Sequence, residues 1–209
     1  MRMKKKSFWY PVANIRNRFL FGSYGKDVYI EPGVVINRPR YVHIGDLVRI
    51  KQLTNINLHA SDKKSKEGLL FLGNSVTIAQ GCIISAYHRI VIGENTGIGP
   101  YTLITDNARK AGDVSGPSKE QEVVLGYVDI GPDCMIGFNS CIFMNVTIGQ
   151  HCIIGATSVV TRDIPAYSIA AGSPAKVIKQ FDFDKREWVR VSGDDISHGV
   201  MDHGMGETH

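Results

Sequence analysis

The sequence predicts an all-β fold, a parallel β-solenoid of triangular cross-section, and three recurrences predict it. An apolar residue returns at every sixth position: Ile130, Ile136, Ile142, Ile148, Ile154 and Val160 form one unbroken series. Leu72, Ile78 and Ile84 begin a second, which resumes after an eight-residue step at Ile92, Ile98 and Ile104; Ile30 and Ile36 lead, after a like step, to Ile44, Ile50 and Ile56. Glycine often follows the apolar residue, as at Gly45, Gly73, Gly93, Gly131 and Gly149, and a small or β-branched residue stands four positions after it, as at Val48, Thr54, Cys82, Thr102, Cys134, Ser140 and Cys152. Neither a helical period of about 3.6 nor a strand period of 2 yields six. A chain that turns a corner every six residues does. Three short strands then make one coil, the apolar residue points inward, the small one fits near the corner, and glycine relieves backbone crowding at the turn.

The elements follow in order. Residues 1–27 hold a basic start, "MRMKKK", and a segment over 11–22 whose pattern predicts a short amphipathic helix capping the open end of the solenoid. The solenoid itself spans 28–179. A polar, lysine-rich excursion interrupts it at 57–70, and a long loop at 106–128; a long loop in a compact fold is usually functional or disordered. Residues 180–209 form a C-terminal extension that opens with "QFDFDKREWVRV", read as a short helix, and closes in a stretch with few core formers, expected to be partly disordered.

Composition narrows the function classes. A chain of 209 residues with 43% hydrophobic and 21% charged residues is of the soluble globular kind. Its net charge of +4 suits anionic ligands such as phosphorylated cofactors, and because the excess is partly local to "MRMKKK" it does not indicate nucleic acid. Lys4–Lys6 beside Phe8, Trp9 and Tyr10 suit a weak contact with a membrane surface, whereas no segment approaches the ~20 apolar residues of a span. The four cysteines form no CxxC pair, and Cys82, Cys134 and Cys152 fall on the small position of the beat. They read as buried packing residues in a reducing, cytoplasmic protein without disulfides. The histidines show no metal-ligand spacing, so no metal is expected.

The pattern [Ile/Leu/Val]-Gly-x-x-[small]-x, together with "GATSVVTRDIPAYSIAAGSPAKVIK", resembles the hexapeptide-repeat acyltransferases, and most of all the maltose, galactoside and polysaccharide O-acetyltransferases. The resemblance implies a left-handed helix, a homotrimer, and acetyl-CoA held in a cleft between neighbouring prisms. Carried over by motif, Phe138 and Ala156 contact the pantetheine arm, followed by Thr161 and Arg162, and Lys176 and Lys179 bind the phosphates. It also implies a sugar or glycan acceptor, acetylated on a hydroxyl during surface polysaccharide or glycan assembly.

One expected residue is missing. The family's general base is a histidine at the start of the long loop, and here that run reads Thr105-Asp106-Asn107-Ala108-Arg109. Ala86, one coil earlier, stands where the sugar acetyltransferases commonly have an acceptor-binding aspartate. Four readings stay open. His88 acts as a relocated base paired with Asp106; or Asp106, alone or with Asn107, takes the proton or orients the acceptor. Alternatively the acceptor is an amine, as in an amino-sugar N-acyltransferase, where positioning against the thioester suffices. In the last reading the chain is a non-catalytic trimer of the same fold.

Overall fold

A computed structural model describes residues 19–59, 69–110, 116–117 and 120–191. Three parallel faces carry the predicted coils. The first stacks Ser23–Tyr24, Val42–Ile44, Leu70–Leu72, Arg89–Ile92, Tyr127–Ile130 and Val146–Ile148. The second stacks Tyr29–Ile30, Arg49–Ile50, Thr77–Ile78, Gly97–Ile98, Met135–Ile136, Ile153–Ile154 and Ser168–Gly172; the third stacks Val35–Ile36, Asn55–Leu58, Ile83–Ala86, Leu103–Thr105, Cys141–Ile142 and Val159–Val160. Register follows the sequence beat: Ile98 lies between Ile78 and Ile136, and Ile104 between Ile84 and Ile142. These inward residues form one continuous core that includes Cys82, Cys134 and Cys152, as the spacing predicts.

The small position does more than fit. Thr54, Thr102 and Ser140 donate their hydroxyls to the carbonyls of Ala79, Gly137 and Gly155 on the next coil, at 3.0, 3.2 and 3.1 Å. Cys82 and Cys134 do the same with their thiols, to Gly99 and Gly149 at 3.2 and 3.0 Å. Each side chain therefore satisfies a corner carbonyl that the parallel ladder leaves over. Glycine follows the apolar residue because the next coil lies close: a Cβ on Gly73 would sit 2.6 Å from the Glu94 amide nitrogen, and one on Gly137 2.5 Å from that of Ala156.

Two corners are constant. In every coil the second-face strand begins five positions after the first-face strand ends, and the third-face strand five after the second. A residue with left-handed backbone marks each: Asp27, Leu47, Ser75, Asn95, Asp133 and His151 at one corner, Gly33, Leu53, Gly81, Tyr101, Asn139 and Thr157 at the other. All length variation falls on the third-to-first corner. The turn at Pro39–Tyr41, the eight-residue step from Ile84 to Ile92, and both long excursions leave from it.

Two expectations need correction and two fall partly outside the described residues. "QFDFDKREWVRV" is not a helix: Ala175–Asp182 pairs antiparallel with Ser168–Gly172 and with Glu187–Arg190, extending the second face to nine strands. Alternating apolar residues there serve a strand, and Phe181 packs edge-on against Phe183 and Trp188 at 5.2 and 5.4 Å. The strand also runs through the boundary expected at 179. The loop 106–128 is not wholly irregular, since Asn107–Arg109 zips antiparallel to Val123–Leu125 at its base. Of the capping helix over 11–22 only Phe19–Gly22 is described, with Phe19 and Leu20 helical; the basic start, most of the excursion at 57–70 and the tail beyond 191 lie outside the described residues. No described helix is long and apolar enough to cross a membrane.

Candidate active site

The variable corner gathers the chemistry. Where the third coil turns from Ala86 into Arg89 of the fourth, three successive backbone N–H groups point at one side chain, because the two extra residues leave them without ladder partners. Asp106 fills that gap. Its carboxylate accepts Tyr87 N–H at 2.8 and 3.1 Å, His88 N–H at 2.8 Å and Arg89 N–H at 2.8 Å, and the residue is fully buried. Asn107 reaches the same spot, its amide donating to Thr105 Oγ1 at 3.0 Å and, more distantly, to Ser85.

The loop closes onto this turn. Gly126 N–H donates to the Asp106 carbonyl at 2.7 Å, and the Gly126 carbonyl lies 3.1 Å from His88 Nδ1. A carbonyl only accepts, so Nδ1 carries the proton, and Nε2 is left as the ring's lone-pair acceptor. Three links thus form a closed figure: carboxylate to His88 backbone, carbonyl to Gly126, carbonyl to His88 ring. Next to it the Tyr87 ring stacks on His59 with centroids 4.2 Å apart, and Arg89 makes a bidentate pair with Asp129, both contacts at 2.7 Å.

The sequence placed His88 beside Asp106, and the two do meet, but not as a side-chain pair. Asp106 holds the backbone of His88, while the ring answers to Gly126. The Asp106 carboxylate accepts three backbone N–H groups and, at 3.3 Å, the Asn107 amide, and the residue has no exposure. Asn107 also spends its amide on neighbouring protein oxygens. Gly126 went unread in the sequence, although a lone glycine closing a long loop just ahead of a strand is the available signal. A side chain there would meet Met144 Cε at 2.9 Å and the Asn145 amide.

Five of the six positions expected to touch the cofactor divide between two corners. Phe138 and Ala156 are exposed and stacked at the second-to-third corner, where Thr157 N–H donates to the Phe138 carbonyl at 2.9 Å. Lys176 joins their column: it pairs with Ala171, whose Cβ lies above Gly155, and Gly172 N–H donates to Ser158 Oγ at 3.2 Å. Thr161 and Arg162 are exposed at the other end of the third face, three coils beyond His88 on the same corner. Lys179, between Ile169 and Arg190, sits back along the second face, away from both. Among the described residues no three His, Cys, Asp or Glu side chains gather as a metal site would need.

The architecture defines a class: a triangular parallel β-helix of six-residue repeats with one variable, polar corner. No protein-family model matches the chain. It is 32% identical over 166 residues to a protein named probable acetyltransferase Rv3034c of Mycobacterium tuberculosis, covering 79% of this chain and 51% of that relative. The chain therefore spans about half the length of that relative. Among solved structures it is similar to a maltose O-acetyltransferase from Clostridium difficile 630, with a TM-score of 0.58, 25% identity, and 87% of this chain and 80% of that one covered. It shares its fold with AntD, an N-acyltransferase from Bacillus cereus solved with dTDP and 3-hydroxybutyryl-CoA, with a TM-score of 0.68, 23% identity, and 83% and 90% covered. The chain is thus similar to named acetyltransferases, and its fold is that of the left-handed β-helix, hexapeptide-repeat acetyltransferases.

Proposed function

We propose that the protein transfers an acetyl group from acetyl-CoA to a hydroxyl of a sugar in glycan or surface-polysaccharide assembly, with His88 as general base. The observation that carries this reading is the ring of His88, fixed through Nδ1 by the Gly126 carbonyl with Nε2 left to take a proton. As the acceptor oxygen attacks the thioester carbonyl, Nε2 takes its proton; the carbon–sulfur bond breaks and the CoA thiolate leaves. Asp106 and Gly126 hold the base and do not touch the substrate. Phe138, Ala156 and Lys176, aligned on one edge, are the proposed donor-binding positions, with Thr161, Arg162 and Lys179 in supporting places. The relatives named above support an acyl-CoA donor, and that donor together with the four unpaired cysteines supports the reading of a cytoplasmic setting.

The same reading makes the protein a homotrimer. Along the third face the outward ladder runs Val35, Asn55, Ile83, Leu103, Cys141 and Val159, largely apolar and partly exposed, which suits packing against further copies. Amine acylation is the second reading, favoured by Asn107 standing where the family's histidine is expected and by the shared fold with an N-acyltransferase.

The test follows free CoA released from acetyl-CoA with sugar and amino-sugar acceptors. His88→Ala should keep the fold and lower turnover on the hydroxyl acceptor about 10²–10⁴-fold. Unchanged turnover on an amino sugar would move the assignment to the amine. No CoA binding and no turnover on any acceptor would leave a non-catalytic protein of the same fold.

A further inference from the structure

A solenoid lays its sequence out along one axis, so an imbalance of charge along the chain becomes an imbalance in space. Among the described residues, 19–59 hold 5 Lys and Arg against 3 Asp and Glu, whereas those from 69 onward hold 9 against 10. Within that first stretch, Lys26, Arg38, Arg40, Arg49 and Lys51 are all exposed around the first two coils. Two of the acidic residues facing them are engaged with backbone: Glu31 accepts Gln52 N–H at 3.0 Å and Asp46 accepts Lys26 N–H at 2.7 Å.

Apolar groups are interleaved with these cations. Along the second coil Val48 and Ile50 point inward and residues 47, 49, 51 and 53 outward, so Arg49 and Lys51 lie between Leu47 and Leu53, which are 53% and 65% exposed. Both leucines have left-handed backbone, φ 61° and 63°. The same corners of later coils hold Ser75, Asn95, Asp133 and His151, and Gly81, Tyr101, Asn139 and Thr157, most of them polar. The second coil thus exposes a leucine at two corners that later coils give mostly to polar residues. Phe19, 86% exposed, lies at the same end.

We propose that this end of the solenoid docks on an anionic lipid membrane. Lipid phosphates meet the cations, and the leucines enter the boundary between headgroups and acyl chains. A nucleic acid would use the cations but leave the leucines in water. The surface lies at the end of the prism opposite Lys176 and Lys179, so the inference stands apart from the acyl-transfer reading.

Sedimentation of the full chain with vesicles tests it. The protein should partition onto phosphatidylcholine–phosphatidylglycerol vesicles, not onto phosphatidylcholine alone, and added salt should release it. Arg49→Glu with Lys51→Glu should weaken partition at least about tenfold. Leu47→Asn with Leu53→Asn, which suits the backbone and leaves the charge, should weaken it on the order of tenfold as well. Equal binding to neutral vesicles, no binding to either kind, or leucine variants that bind like the parent would each overturn the proposal. So would capture by a DNA or RNA duplex with no partition onto vesicles.

Discussion

The constant corners and the variable corner of this prism solve one problem in opposite ways. At the constant corners one device recurs: a left-handed residue turns the chain, and at most of them a hydroxyl or thiol one residue farther along closes a carbonyl of the next coil, with valine in that place on the first coils. Many copies share the work, so each matters little. At the variable corner the strand ends are irregular, three adjacent N–H groups face inward together, and one carboxylate takes them all. Repetition there gives way to a single buried group. The difference teaches where a repeat protein can hold chemistry. An insertion at a constant corner would break the register of every later coil, whereas the variable corner already absorbs turns, steps and excursions of different lengths.

The largest effect should come from the single group. Asp106→Ala would leave three main-chain N–H groups unsatisfied in a site closed to water, at about 1–3 kcal/mol each before relaxation. The whole loss should be about 3–5 kcal/mol, as when one partner of a buried charged contact is removed. Denaturant unfolding reads it directly, and a loss under about 1 kcal/mol would mean that the corner is held by something else. Asp106→Asn keeps the shape and one acceptor oxygen and should cost less. If turnover in that variant falls while His88 stays in place, Asp106 acts on the reaction beyond positioning, contrary to the role proposed for it.

Much of this was legible in the sequence, and the contrast between corners explains how much. The beat of Ile130 to Val160 gave the coils, the core and the buried cysteines, because one residue in six must point inward whatever its neighbours are. The eight-residue steps marked the variable corner, and "TDNAR" and "SAYHRI" marked the residues that meet there. What they do to one another was not legible. Whether Asp106 faces the ring of His88 or its backbone depends on where the chain returns after some twenty residues of excursion, and Gly126 carries no signal of its contact with the ring. The terminal hairpin was misread because "FDFDKREWV" is too short for its alternation to decide between strand and helix, and pairing with Ser168–Gly172 decides it.

A constant corner should yield far less when broken. Thr102→Val preserves shape and removes one hydroxyl contact to the Gly137 carbonyl, a loss of about 1 kcal/mol. Thr54→Val should cost a similar amount. Because the two sites lie on different coils without shared partners, the double variant should add within about 0.5 kcal/mol. Marked non-additivity, or a loss as large as that of Asp106→Ala, would erase the distinction drawn between the corners.

The smallest effect is a slope against pH. Burial pushes the Cys82 thiol above its ordinary value of 9.0, more than its backbone hydrogen bonds lower it. Below that value the thiol is protonated whether the chain is folded or not, and its contribution is fully present. Above it the unfolded chain loses the proton while the folded chain keeps it, so stability falls as pH rises from about 9 through the higher folded value. Cys82→Ser retains a donor of the kind found at Ser140 and removes the titration. The parent's melting temperature should therefore fall more steeply than the variant's above pH 9, and the two curves should run parallel below it. Parallel curves throughout would mean that Cys82 ionises as readily in the folded corner as in the unfolded chain, and that this corner is more open to water than the packing of its coils implies.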